Sequence, residues 1–272
     1  LANERPVNAA SIILACAVDE EAGGSGARGL MTRWPELTAS DGLPAMPAMS
    51  IVAEPTELNV VVAHKGVVRW RCRTIGRAVH SSSPENGDNA IYRMGRVVAA
   101  LERYHREELR GREPHRLLGT PSLSVGLISG GASVNVVPDA CVIEIDRRVL
   151  PGEDCQAAYR HVVDYVYQQL GEDAAGGNVV HEPPYHASGG LSDENNGQLA
   201  ARLGECARRC GGAGQLIGVP FGTDASHICA AGVPTVVFGP GSIAQAHTAD
   251  EWIALDQLHA ASEILFDFAS GW

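Results

Sequence analysis

Two apolar rhythms alternate along this chain of 272 residues. The first is a short uninterrupted run that ends in turn residues, seen in SIILACAV (11–18), MSIVAEPT (49–56) and PTVVFGPG (234–241). Runs of this kind mark strands covered on both faces, most often in a parallel sheet. Helical spacing accompanies them in GSGARGLMTRWPEL (24–37), NNGQLAARLGECARRCGG (195–212) and DQLHAASEILFDFAS (256–270), while the proline- and glycine-bearing stretch 39–49 reads as a loop.

The second rhythm fills the middle of the chain. NVVVAHKGVVRWRCRTIG (59–76) sets Val67, Arg69, Arg71 and Arg73 against Val68, Trp70 and Cys72, the partial alternation of a half-buried antiparallel strand. NAIYRMGRVVAALERYHREEL (89–109) repeats Ile91, Met94, Val97, Val98 and Leu101 at the spacing of an amphipathic helix. Strands over 122–131 and 140–150, a helix over 153–170 and a strand over 178–184 complete the series. Strand, helix, strand, strand, helix, strand is the order of a ferredoxin-like domain. The pattern thus predicts an α/β domain over 1–66 and 179–272, interrupted by an inserted α+β domain over 67–178.

Composition removes several classes of function. Hydrophobic residues make up 45% and charged residues 19%, as in a globular protein, and no run approaches the roughly 18 apolar residues of a membrane helix. No secretory signal is visible at the start. The net charge of −11 argues against a nucleic-acid partner, which needs clustered Lys and Arg. Seven scattered cysteines without a CxxC pair favour reduced thiols and a cytoplasmic protein, with Cys206 and Cys210 read as small apolar residues on a helix. The chain opens at Leu1, and a central strand at 11–18 needs neighbours, so the sequence reads as a fragment or a processed product.

Candidate chemistry collects where the short strands end. Asp19, Glu20 and Glu21 follow the first run, and Glu54 follows the second. In open α/β sheets ligands gather outside the carboxyl ends of strands. Adjacent carboxylates there read either as a solvated acidic loop or as a site where a divalent cation offsets their repulsion, one carboxylate binding it and the other accepting a proton. His247, in QAHTADEWI (245–253), follows the third run, and imidazole with carboxylate suits zinc. The other histidines, apart from His80, read as surface or satisfied core residues.

VDEEAGGSG (18–26), AEPTEL (53–58), GRAVHSSSPENGDNAI (76–91), SVNVVPDACVIEIDRRVLPGE (133–153) and AHTADEW (246–252) occur in one order. Together they resemble the acetylornithine deacetylase and succinyl-diaminopimelate desuccinylase family of zinc amidohydrolases and metallopeptidases. The resemblance implies a zinc-peptidase-like catalytic domain, N-terminally incomplete, interrupted by a lid and dimerisation domain. It implies Glu20 as general base, Glu21 and His247 as ligands of one zinc, and Glu54 as a ligand of the other. His80 matches the lid histidine that reaches into the partner subunit's active site, and Asn135 a lid residue near the substrate. Arg147 and Arg148 read as partners of a substrate carboxylate or as charges on a lid strand; Thr223 and Asp224 read as substrate neighbours or as helix caps. The cofactor implied is zinc, two ions per intact site, with cobalt or manganese as alternatives. The family's His-x-Asp motif and bridging Asp lie before the DEE strand and are absent here, so neither position reaches three protein ligands. The expected function is hydrolysis of an N-acyl amino acid amide by a homodimer, with this chain alone inactive and its metal occupancy reduced. A non-catalytic dimerising module and a dipeptidase or carboxypeptidase of the same chemistry are the alternatives.

Overall fold

The computed structural model describes residues 9–21, 23–41 and 46–271, with backbone alone at 40, 41 and 175. Part of the loop expected over 39–49 thus lies outside the described residues. Two compact units divide the chain, one made of Leu1–His64 and Gly190–Trp272, the other of Lys65–Gly189. The first opens with α1 (Ser25–Asp41), β1 (Ser50–Val52) and β2 (Val60–His64). The second runs through β3 (Gly66–Ile75), α2 (Ala90–Arg103), β4 (Ser122–Gly130), β5 (Ala140–Val149), α3 (Cys155–Leu170), β6 (Val179–His181) and β7 (His186–Ser188). The first then resumes with α4 (Gly197–Arg209), β8 (Leu216–Val219), α5 (Ala225–Ala230), β9 (Thr235–Val237) and α6 (Leu255–Ser270).

The 65–189 unit is an antiparallel sheet of order β4-β5-β3-β6, with β7 also on β3. β3 and β5 pair along their whole length, from Gly66 opposite Val149 to Ile75 opposite Ala140. Period-two alternation buries Val68, Trp70, Cys72 and Thr74 and turns the arginines between them outward. Asn89 caps α2 by accepting the N–H groups of Ile91 and Tyr92, and Asp154 caps α3 by accepting that of Ala157. The helices bury Met94, Val97 and Leu101 of α2 and Val162 and Val166 of α3 in one core with Trp70 and Ile143. What reads as a single long strand over 59–76 is two, broken at Lys65 where the chain passes between units. Because β6 and β7 both pair with β3, this unit continues to Gly189, past the 178 read from the sequence.

The other unit holds a mixed sheet of order β1-β9-β2-β8, parallel at both ends and antiparallel only where Val61 faces Val237. That short antiparallel junction leaves carbonyls without ladder partners, and the buried Asn196 amide donates to two of them, Val62 at 2.8 Å and Thr235 at 2.9 Å. The run SIILACAV does not form the expected strand. Among the described residues it has no place in the sheet, the Ala10 N–H donates instead to the Ala269 carbonyl of α6, and Leu14 is 88% exposed. Continuous apolarity prescribes burial, but a strand exists only where another supplies its ladder. No helix among the described residues is long and apolar enough to cross a membrane.

Candidate active site

Within the 1–64 and 190–272 unit, the DEE segment is a tight loop. Asp19 adopts left-handed backbone (φ 66°) and its carbonyl accepts from the N–H groups of Gly23 (3.1 Å) and Gly24 (2.7 Å). Its carboxylate accepts from the Ser25 hydroxyl at 2.6 Å, at the start of α1. Glu20 and Glu21 are therefore presented by a closed loop and not by a strand.

Glu54 comes from the end of β1. The Phe238 N–H, just beyond β9, donates to the Val52 carbonyl, and the Thr56 hydroxyl joins the Asn59 carbonyl to Gly239. A Cβ at Gly239 would lie 2.5 Å from the Glu54 carbonyl oxygen, so only glycine lets these two chain ends run together. Beside Glu54 is a cavity of about 450 Å3 walled by Pro55, Gly241, Glu251, Trp252 and Ile253.

The DEE loop, the end of β1, the start of α5 and the loop after β9 bring four carboxylates and one imidazole into mutual influence. His247 Nε2 lies 2.8 Å from Glu21 Oε1, with both side chains largely exposed. The carboxylate holds the imidazole above its ordinary pKa. Burial pushes Glu54 up to about 7, with Glu20, Glu21 and Asp224 adding repulsion. Glu20 is raised by burial and then by Glu21 and Asp224, and Asp224 chiefly by burial. Positive φ at Asp19 (66°) and His247 (60°) places left-handed backbone on both sides of the cluster, a conformation that persists where surroundings enforce it.

These donors suit zinc in kind. Among the described residues, however, no group of three or more His, Cys, Asp and Glu stands where it could hold one metal ion. The closest donors are a pair, Glu21 and His247, with Glu54 beside them.

The remaining candidates separate. Thr223, just before α5, is buried, its hydroxyl 3.2 Å from His64 Nε2 and accepting from the Ala225 N–H. Asp224 caps nothing with its side chain and faces the carboxylate cluster. In the 65–189 unit, His80 and Asn135 share one pair of crossing segments: His80 bridges Val136, and the Ser81 N–H donates to the Asn135 carbonyl. His80 Nδ1 is 2.8 Å from the Ser82 hydroxyl. Arg147 is fully buried, bound to Glu153 at 3.2 Å and to the Arg148 carbonyl, in the interior and not on a face open to a substrate. Alternate residues of β5 face opposite sides, which is why Arg148 emerges and pairs with Asp146 at 2.7 Å. His227, one of ten histidines and without a motif of its own, is the residue the sequence leaves unnoticed: it stands half-buried against Asp224 and the DEE loop. The only signal for it is its place three residues after Asp224 in FGTDASH.

Comparison with known proteins adds a likeness of the chain as a whole. Residues 62–174 match the M20 peptidase dimerisation domain. The acetylornithine deacetylase of Myxococcus xanthus is 30% identical over 268 residues, covering 94% of this chain and 63% of that protein. A putative succinyl-diaminopimelate desuccinylase of Mycobacterium tuberculosis is 30% identical over 230 residues, 82% of this chain and 58% of its own length. The chain resembles the M20 hydrolases. Solved structures agree on the M20 fold: a Staphylococcus aureus tripeptidase superposes with a TM-score of 0.72 at 21% identity, over 93% of this chain and 62% of that one. An M20 metallo-carboxypeptidase of Sulfolobus solfataricus gives 0.64 at 15% identity, over 93% and 68%. The chain spans about three fifths of the length of these M20 relatives.

Proposed function

We propose that this chain carries part of the active site of a metal-dependent hydrolase that cleaves the amide bond of an N-acyl amino acid. The observation that carries the reading is the Glu21–His247 contact at 2.8 Å beside a Glu54 carboxyl pushed up to about 7. Crowded carboxylates of this kind raise one another's pKa, and a divalent cation among them removes the repulsion. Zinc fits in kind: Glu21 and His247 would hold one ion and Glu54 would contribute to a second, with cobalt or manganese as substitutes. Once bound, such an ion acts as a Lewis acid and lowers the pKa of water. Glu20, its carboxyl raised by burial and by its neighbours, takes the proton of the attacking water and returns it to the departing amine. Asp224 faces the same cluster and keeps Glu20 basic enough for that exchange.

The dimerisation domain at 62–174 supports a homodimer in which His80, with Asn135 beside it, serves the partner subunit's site. All seven cysteines are free thiols, and the cytoplasm is the compartment this reading assigns. In a protein that carries the complete active site, release of free amine from N-acetyl and N-succinyl amino acids and from short peptides, with added zinc, tests the chemistry. Glu20→Gln should keep metal and lose turnover by about 100-fold or more. Mixing Glu20→Gln with His80→Ala protein should recover activity, because the mixed dimer holds one site with both residues. No recovery on mixing removes the cross-subunit role of His80.

A further inference from the structure

We propose that His227 is a positioning residue that seats the DEE loop through Gly24, and thereby sets where Glu20 and Glu21 stand. The loop closes on itself at Asp19, which accepts from the N–H groups of Gly23 and Gly24 and from the Ser25 hydroxyl. Its far side doubles back so tightly that a Cβ at Gly26 would lie 2.3 Å from the Val18 carbonyl oxygen. That closure fixes the loop's shape and leaves its position to be set from outside. One outside contact is at Gly24 (φ +61°), where a Cβ would lie 2.6 Å from His227 Nε2 and 2.8 Å from Asp224 Oδ1. Backbone thus rests directly on an imidazole and a carboxylate, a spacing only glycine allows.

The platform beneath is tied to the sheet. His227 and Asp224 lie at the start of α5, joined by the His227 N–H donating to the Asp224 carbonyl at 3.1 Å, and α5 packs against both β1 and β9. The strands that deliver Glu54 therefore also hold the platform on which Glu20 and Glu21 are seated. Supporting residues of this sort keep reactive groups within a fraction of an ångström of productive geometry. The metal part of the proposal rests on the reading of Glu21 and His247 given above; the seating of the loop does not.

Hydrogen–deuterium exchange across 17–26, paired with zinc titration, separates the two. His227→Ala should speed exchange of the Gly23 and Gly24 amides by about tenfold, as in a loosened local structure. It should also weaken zinc binding by about tenfold. His227→Gln, which keeps a side chain against Gly24, should restore most of both, while exchange over 65–189 and the unfolding midpoint stay put. Should His227→Ala fail to fold, Gly24→Ala presses on the same ring from the loop side and must raise the same exchange. Unchanged exchange over 17–26 in a folded His227→Ala or Gly24→Ala protein overturns the proposal. If the unmodified chain binds no zinc, the reading of the metal site falls, and the exchange arm still decides the seating of the loop.

Discussion

The two units handle charge in opposite ways. Residues 65–189 contain 15 basic and 15 acidic side chains, so the whole net charge of −11 sits in the other unit. Inside the neutral unit charges meet partners: Arg69 with Asp146, Arg71 with Glu144, Arg147 with Glu153. In the acidic unit Glu20, Glu54 and Asp224 crowd together, each raised above its ordinary pKa mainly by burial. Carboxylates crowded in this way make the acidic unit the candidate place for a bound cation.

The largest test of this contrast strikes the neutral unit's core. Trp70 is fully buried, meets the Tyr159 ring edge-on at 5.4 Å, and donates its indole N–H to His181 at 3.0 Å. Trp70→Ala should cost about 3–5 kcal/mol in denaturant unfolding. Loss under 1 kcal/mol would mean that this core does not hold the unit.

The pH dependence of the two units should carry opposite signs. Burial depresses His181 from 6.5 to about 4, so the unfolded chain binds its proton first. Stability of 65–189 should therefore fall as pH drops from 6.5 through 4, by roughly 3 kcal/mol in all. Glu54, raised from 4.5 to about 7, is protonated in the fold where the unfolded chain is not. Its unit should lose stability as pH rises from 4.5 through 7. Unfolding midpoints against pH for His181→Gln and Glu54→Gln, each expected to flatten one slope, check both signs.

Smaller effects follow from single contacts. Asn196, buried and donating to Val62 and Thr235, should cost about 1–3 kcal/mol as Asn196→Ala, since two carbonyls lose their partner. Leu14→Ser should change stability by less than about 0.5 kcal/mol, because an 88% exposed side chain has little burial to lose. A larger loss would show that 11–18 is held against the sheet after all.

The same contrast explains what the sequence discloses. The 65–189 fold is legible because its information is local: alternation around Trp70, helical spacing around Met94 and Leu101, and caps at Asn89 and Asp154. Its end is less so, since only pairing shows that His186–Ser188 belongs to β3. SIILACAV misleads because apolarity states a wish for burial and says nothing about a partner strand. In the candidate site, carboxylates after short apolar runs are visible as Glu21 and Glu54, and the contact of Glu21 with His247 spans the chain from one end to the other. The burial of Arg147 is not legible because residue type cannot tell which face of β5 turns inward. His227 is invisible because its role depends on a glycine more than two hundred residues away.

The acidic unit is proposed to be built around a divalent cation held by Glu21 and His247. Thermal unfolding at pH 7.5 with and without zinc tests it most directly, comparing the unmodified chain with a Glu21→Gln, His247→Ala double variant. A ligand at 100 times its dissociation constant stabilises the fold by about 2.7 kcal/mol. A zinc-dependent rise in midpoint is expected for the unmodified chain and is lost in the double variant. An equal rise in both proteins, or none in the unmodified chain, would contradict it.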